Sequence, residues 1–536
     1  MKQSIRMATA AAAVLAASAL TGLGVHADMP GKTEEERVQG EGYIGQLSKK
    51  LIAQGAHQRF AQGPKRRIAD RRDRVFFWHE VALDSVAIDH TPDLDTGTPP
   101  LENGGPTRTS RALAMTQIAV FDALNAFTPA FEPYNEIRRA RGNSASRDAA
   151  IAQAAHDVLA ALYPGQTERL NELLEDDLDS IRENRNRIRR GRNVGRAAAE
   201  AILDERVGDG SEIPEPSFGD GGAVADGATT AFGTPVNGGT TLIGEWTADP
   251  NTPEFAGEFN LSLGAFWGAV EPFFLESGDQ FRTPVPPAVS SLEYADDYIE
   301  VAEIGGAPSN VTIVSTGTEA TRFIGNYWGY DGVPLIGVPP RVYNQIAAQI
   351  IDDEGPRAPL KVARLLAQVN VGLADTAIAA WDSKYFYNYW RPVVGIRTDD
   401  GNPNTVTAPE WDPVGTSVVN TEVFIRPTPP FPAYPSGHAA FGASMFEILR
   451  ENFGDSTPFT FISDEYNGEG IDPFDPDTPR PLVPVRFSNF TEAQVENGDS
   501  RIFNGVHWQF DNTEGQAQGV RVSRFLLDEF DAFQPK

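Results

Sequence analysis

Cysteine is absent from the 536 residues, and methionine occurs only five times. Without a thiol the chain has no disulfide, no thiolate metal ligand and no cysteine nucleophile, which excludes those classes of site. Cysteine and methionine are also the side chains most easily oxidised. Their scarcity fits an enzyme that generates an oxidant, although compositional drift would explain it equally well. Positive charge is scarce too: 45 Lys and Arg against 74 Asp and Glu give a formal net charge of −29. Such a chain is repelled by nucleic acid and by anionic membrane surfaces, so neither is expected as a partner. After the first residues there is no apolar run of about eighteen, so no membrane span is expected. His79-Glu80 has no second histidine four residues on, and there is neither a phosphate-cradling Walker loop nor a G-x-S-x-G elbow.

What is present is globular in composition, 40% hydrophobic and 22% charged. Residues 1–27 read as an export signal: Lys2 and Arg6, the alanine-rich stretch Ala8 to Leu23, then Val25-His26-Ala27 before Asp28. Export places the protein in the periplasm or outside the cell. Residues 28–75 read as an irregular arm, whose basic stretch Lys65-Arg66-Arg67 through Arg74 is expected to be a solvated face. Two helical halves follow, 76–286 and 287–536.

Apolar residues at helical spacing predict helices from Phe76, over Thr107 to Phe127, Ala145 to Leu162 and Glu168 to Asp204. In the last of these an acidic block precedes a basic one, the order that complements a helix dipole. Further helices are expected over Ser290 to Ile304, Val342 to Ile351, Leu360 to Trp390, His438 to Asn452 and Asn512 to Phe530. Asp89 to Pro106, Gly208 to Pro250, Asp399 to Pro430 and Asp455 to Asn489 are rich in Pro, Gly and Asp and read as loops. The fold class is therefore mainly α, with long loops. Asp89, Asp93 and Asp95, and likewise Asp472, Asp475 and Asp477, lie close enough in sequence for calcium, but neither trio completes a calcium-loop pattern, so solvated loops are expected. His57, His79, His90 and His156 are read as structural or solvated.

Three segments carry chemistry. The first runs from Lys384 to Arg391-Pro392 through five aromatics. Seven residues are two helical turns, so the ammonium and guanidinium are expected on one helix face, with Pro392 ending the helix. Two such cations reaching one point suit a multiply charged oxyanion. The second is Pro435-Ser436-Gly437-His438 at a predicted helix start, where free N–H groups and the dipole attract anions. Ser436 alone would be an ordinary N-cap, but that leaves His438 without a reason; beside an anion it can move protons near neutral pH. The third runs from Ser500-Arg501 to His507 and Asp511. Arg501 is a second guanidinium, and Asp511 can accept one ring N–H of His507 and set its tautomer.

The ordered pattern K-x6-R-P, P-S-G-H and S-R-x5-H-x3-D resembles the superfamily that joins PAP2-type acid phosphatases to vanadium-dependent haloperoxidases. Phe77-Trp78-His79-Glu80 and the Ser110-Arg111-Ala112-Leu113-Ala114 to Asp122-Ala123 helix look like the N-terminal half of exported bacterial haloperoxidases, and Phe431-Pro-Ala-Tyr434 looks like the haloperoxidase form of the central motif. The resemblance implies two four-helix bundles with the cofactor in one of them. It implies that Lys384, Arg391, Ser436, Gly437 and Arg501 bind vanadate oxygens, that His507 is the axial ligand and that His438 is the acid–base residue. The implied reaction is oxidation of halide by hydrogen peroxide to hypohalous acid, which halogenates small organic acceptors. Bromide is the expected halide because it is the easier to oxidise. Phe431 and Trp381 occupy places where the resemblance puts residues affecting halide choice: fungal chloroperoxidases carry an aromatic, and algal bromoperoxidases a histidine, at the position of Phe431. The competing reading is a secreted phosphatase in which His507 is the nucleophile. A homo-oligomer is compatible with either.

Overall fold

A computed structural model describes residues 47–55, 63–93, 100–140, 144–216, 243–251, 262–422 and 426–536. The expected export signal, His57, Asp95 and most of the Gly208 to Pro250 loop lie outside these residues. Fourteen α-helices occur among the described residues, with a single two-stranded sheet.

After a short helix α1 (Lys49–Ala53) come α2 (Arg71–Asp89), α3 (Gly105–Asn125), α4 (Arg147–Leu162), α5 (Thr167–Ser180) and α6 (Arg185–Glu205). Helices α2, α3, α4 and α6 pack together as the first bundle, and α5 lies against α4. Asp70 caps α2 by accepting from Asp73 N, and Ser146 caps α4 by accepting from Ala149 N. The basic stretch runs into α2 and is only partly the solvated face expected of it, with Lys65 and Arg67 exposed. Arg72 and Arg74 are buried; Arg74 reaches Asp177 at 2.9 Å and Asp148 at 2.7 Å, while Arg72 and Arg66 both bond Asp352. The arginines dock the N-terminal segment onto α4, α5 and a later helix. The helix expected from Glu168 to Asp204 is also two helices, because the chain turns at 181–184. The acidic and basic blocks therefore do not share one dipole, and the arginines crowd the N-terminal half of α6, the end that disfavours them.

The second half has α7 (Leu292–Ile304), α8 (Glu319–Tyr327), α9 (Pro339–Glu354), α10 (Pro359–Tyr387), α11 (Pro392–Arg397), α12 (Gly437–Phe453), α13 (Phe490–Phe503) and α14 (Gln509–Asp528). Helices α10, α12, α13 and α14 form the second bundle, and α10 also packs along α3, joining the two. One hydrophobic core runs through both bundles, from Trp78 and Phe121 to Trp381 and Phe446. A smaller aromatic cluster gathers Tyr294, Tyr298, Trp390, Trp411 and Trp508 beneath the site. Helix α14 lies close on the start of α12: a Cβ at Gly515 would stand 2.6 Å from the Ser436 carbonyl oxygen, so only glycine fits there.

Asp455 to Asn489 is not wholly a loop. Strands β1 (Phe459–Asn467) and β2 (Leu482–Phe487) pair antiparallel with Phe459 opposite Phe487 and Phe461 opposite Val485. The segment hides its period-2 signal because Pro484 and the Asp- and Pro-rich connection interrupt it. Asp472, expected in a solvated loop, is buried against Arg480 at 2.6 Å. Asp89 is buried too and accepts the N–H groups of Glu102 and Asn103. His79, His90 and His156 are structural as expected: each bonds a backbone carbonyl or a neighbouring polar side chain. Among the described residues no helix is long and apolar enough to cross a membrane.

Candidate active site

Lys384 and Arg391 come together, but not along one helix face. Helix α10 ends at Tyr387, and Asn388 takes a left-handed conformation at φ 50°, ψ 41° with its N–H on the Lys384 carbonyl. Asparagine tolerates that conformation better than most residues. Arg391 is then the N-cap residue of α11, and Pro392, expected to stop a helix, begins one at N1, where its missing N–H costs nothing. The break is held by residues 244–246, since Trp246 N bonds Asn388 O and Trp390 N bonds Gly244 O. The two cations thus approach from either side of a turn.

Ser436 is the N-cap residue of α12, its hydroxyl accepting from Ala439 N, and Gly437 and His438 form the first turn, as the motif predicted. Ser436 N donates to the Asp511 carbonyl at 2.9 Å, tying this turn to the start of α14. Arg501 lies in the last turn of α13, a helix not anticipated from sequence. Its start was legible in Asn489-x-x-Glu492: Asn489 accepts from Glu492 N and Glu492 accepts from Ser488 N.

All these side chains are buried: Lys384 and Arg501 at 0% exposure, Arg391 at 1%, His507 at 2% and His438 at 7%. Lys384 Nζ donates to the carbonyls of Pro432, Ala433 and Pro435 at 2.8, 3.0 and 2.6 Å. Arg391 Nη1 bonds Val506 O and lies 2.9 Å from His507 Nε2. His507 Nδ1 bonds Asp511 Oδ2 at 2.7 Å, so Nδ1 carries the proton and Nε2 keeps its lone pair toward the guanidinium. His438 Nε2 donates to Gly329 O at 2.7 Å, which leaves Nδ1 as the proton acceptor of the neutral ring. Phe431 packs on Trp381 with ring centroids 4.9 Å apart, Lys384 Nζ lies 4.9 Å from the Phe431 centroid, and the Arg391 guanidinium 5.0 Å.

Sequence reading missed Asp331. It is buried, accepts from Arg501 Nη2 at 2.7 Å, and lies 4.0 Å from His438 Nε2. It sits in an aromatic and glycine-rich loop without a motif, so its role was visible only once α13 was placed.

Two guanidiniums and the Lys384 amine face two carboxylates in a water-poor space, and burial together with this excess of basic groups shifts their ionisation. Lys384 is pushed well below the usual ammonium range by burial and then by Arg391. Burial, and then Arg391, Lys384 and Arg501, push His507 well below its ordinary value; burial and then Arg501 do the same to His438. Asp511 is pushed up to about 8 by burial against the pull of Lys384. Arg501 Nε is buried with no hydrogen-bond partner among the described residues. A buried donor left so, beside surplus positive charge, is what an anion would complete. Among the described residues no three His, Asp or Glu side chains gather to hold a metal cation. The donor set therefore suits an oxyanion, with one histidine nitrogen able to reach its central atom. Pro106, Pro339, Pro429, Trp381, Phe431 and Phe441 line the narrow apolar pocket that leads to His438 and His507.

Fold and site together define a helical-bundle oxyanion centre. The model for the second helical-bundle domain of VCPO matches residues 364–534. The chain is 33% identical over 502 residues to vanadium chloroperoxidase of Curvularia inaequalis, covering 82% of this chain and 78% of that one. Its fold is similar to that of the first bacterial vanadium-dependent iodoperoxidase, with a TM-score of 0.64 and 20% identity over 88% of this chain and 100% of the other. It is similar also to a holo-type bacterial vanadium-dependent chloroperoxidase, with a TM-score of 0.57 and 19% identity over 80% and 93% of the two chains. The chain belongs to the vanadium-dependent haloperoxidase family.

Proposed function

We propose that this chain is an exported vanadate-dependent haloperoxidase that oxidises bromide most readily, using hydrogen peroxide, and releases hypohalous acid to small organic acceptors. The observation that carries the reading is the convergence of Lys384, Arg391 and Arg501 on neutral His507 and its Asp511 partner, with Arg501 Nε buried and lacking a partner among the described residues. Lys384, Arg391, Ser436, Gly437 and Arg501 would hold the vanadate oxygens, and His507 Nε2 would ligate the central atom. Bound vanadate supplies Lewis acidity toward peroxide without a change of oxidation state.

The chain's own residues do the rest. Asp511 keeps the proton on His507 Nδ1, so Nε2 remains a ligand. The depressed basicity of His507 keeps it neutral at pH 7, and the anion's charge favours the ammonium form of Lys384. His438, anchored through Nε2–H to Gly329 O, takes and returns a proton at Nδ1. Phe431 and Trp381 exclude water beside Lys384 and shape the halide's approach. Bromide gives up electrons more readily than chloride, which supports it as the preferred halide. Export rests on the sequence of residues 1–27.

The test is bromination of a phenolic dye with peroxide and bromide by the purified protein, before and after chelation and after orthovanadate is returned. The expected result is activity lost on chelation, restored by vanadate and suppressed by phosphate. No halogenation, together with phosphate-ester cleavage blocked by vanadate, would overturn this reading and make His507 a nucleophile.

A further inference from the structure

The hairpin β1–β2 is wired to the site through one buried carboxylate. Glu465 on β1 is fully buried. Its Oε1 accepts from Tyr330 N at 3.0 Å, and its Oε2 accepts from Ser417 Oγ at 2.7 Å and Arg480 Nη1 at 2.6 Å. Arg480 is held in turn by Asp472. Tyr330 stands between the two residues that brace the catalytic side: Gly329, whose carbonyl receives His438 Nε2–H, and Asp331, whose carboxylate receives Arg501. Ser417 closes the ring, its N–H reaching Asp331 Oδ2 at 3.2 Å.

The loop needs such a hold. Tyr330 sits at φ +48°, a left-handed conformation that a bulky residue adopts only when its surroundings impose it. A Cβ at Gly329 would lie 2.8 Å from Glu465 Oε1, so the carboxylate is pressed against the turn itself. The same strand makes further contacts with this region: Ser463 Oγ bonds Tyr327 O, and Asp464 N bonds the Tyr330 hydroxyl.

We propose that Glu465 is a positioning residue: by holding the Tyr330 N–H it sets the Gly329–Asp331 turn, and through that turn the placement of both His438 and Arg501. The inference rests on the oxyanion-site reading above. It assigns to the hairpin a task distinct from supporting its own fold.

Three donors point at the two carboxylate oxygens, and an amide can accept on only one of them. In Glu465→Gln the amide NH₂ must face either Tyr330 N–H or the Arg480 guanidinium. Facing the guanidinium is the worse clash, so the amide turns its NH₂ to Tyr330 and pushes the turn away. Removing the guanidinium in the same chain frees the amide to flip: its oxygen returns to Tyr330 N–H and its NH₂ meets Ser417 Oγ.

The experiment measures the vanadate dissociation constant by calorimetry, without halide or peroxide, on full-length wild type, Glu465→Gln, Arg480→Met and the double variant, with Tm for each. Failure of halogenation and failure of this inference are therefore separate observations. Glu465→Gln is expected to weaken vanadate binding at least about tenfold, a loss of about 1.4 kcal/mol, and to lower kcat. The double variant is expected to recover binding to within about threefold of wild type while its Tm falls below that of either single variant. A hairpin that matters only for stability would make the double variant the weakest binder; that outcome overturns the proposal, as does Glu465→Gln binding within about twofold of wild type. Should Glu465→Gln not fold, Arg480→Met decides. The proposal requires near-wild-type vanadate binding and a protected Tyr330 amide in hydrogen exchange despite a lower Tm, and loss of either overturns it.

Discussion

Consider removing the acceptor behind His507, the histidine proposed to ligate vanadate. Asp511 Oδ2 holds His507 Nδ1 at 2.7 Å and Trp508 N at 3.1 Å. In Asp511→Ala both bonds are lost, so the imidazole is free to rotate and to move its proton to Nε2, where it can no longer ligate. Outer partners of this kind are worth about 10–100-fold in affinity, or about 1.4–2.7 kcal/mol. In Asp511→Asn the amide oxygen can still take both hydrogen bonds. What is lost is the charge that Asp511 carries above about pH 8; it roughly doubles the strength of such a bond, so in that range about half of the free-energy cost is expected. Calorimetric titration of orthovanadate into the vanadate-free protein should order the three as wild type, Asp511→Asn, Asp511→Ala, from tightest to weakest. Thermal unfolding without vanadate separates any cost to the start of α14 from the cost to the site. If Asp511→Ala binds within about twofold of wild type, or Asp511→Asn is the weaker of the two variants, the tautomer argument fails.

Three further outcomes are expected. His438→Ala should lower kcat by about 10²–10⁴ while leaving the vanadate dissociation constant within about threefold; loss of binding with kcat per bound vanadate unchanged would show that His438 holds the anion instead of moving protons. Phe431→His places a hydrated ring between Lys384 and Arg391 and should raise the bromide-to-chloride ratio by about threefold or more; an unchanged ratio removes Phe431 from halide selection. His90 is buried and donates from Nδ1 to Val86 O while Nε2 accepts from Gly105 N at the start of α3, so it must stay neutral, and burial pulls its pKa down to about 4 from 6.5. The unfolded chain takes up that proton first, so the stability His90 contributes is present above about pH 6.5 and lost as pH falls toward 4; the cost of His90→Asn in urea denaturation should shrink by up to about 3 kcal/mol across that window, and a cost independent of pH would refute it.

Much of the site was legible because its chemistry is local. Ser436-Gly437-His438 begins a helix by its own capping geometry, and His507 and Asp511 are spaced so that one turn brings ring and carboxylate together. The long helix α10 announced itself by apolar residues recurring from Leu360 to Tyr385, and the mainly α class followed from repeated 3.6-residue patterning. These features depend on neighbours within a few positions, which is why they can be read in order along the chain.

What lay beyond reach depended on partners far away in sequence. Arg66 and Arg72 look solvated in isolation; Asp352, some 280 residues on, pairs with both. Lys384 and Arg391 meet across a break at Asn388 that residues 244–246 stabilise, not on the helix face their spacing suggested. Asp331 and Glu465 carry no motif, because a buried carboxylate is defined by the cation that compensates it, here Arg501 and Arg480. The sequence by itself determined which basic and imidazole groups are candidates for an oxyanion site. Only the tertiary structure decided which carbonyls, carboxylates and aromatic faces hold those groups in place, since burial and charge compensation are properties of the packed chain and not of any segment of it.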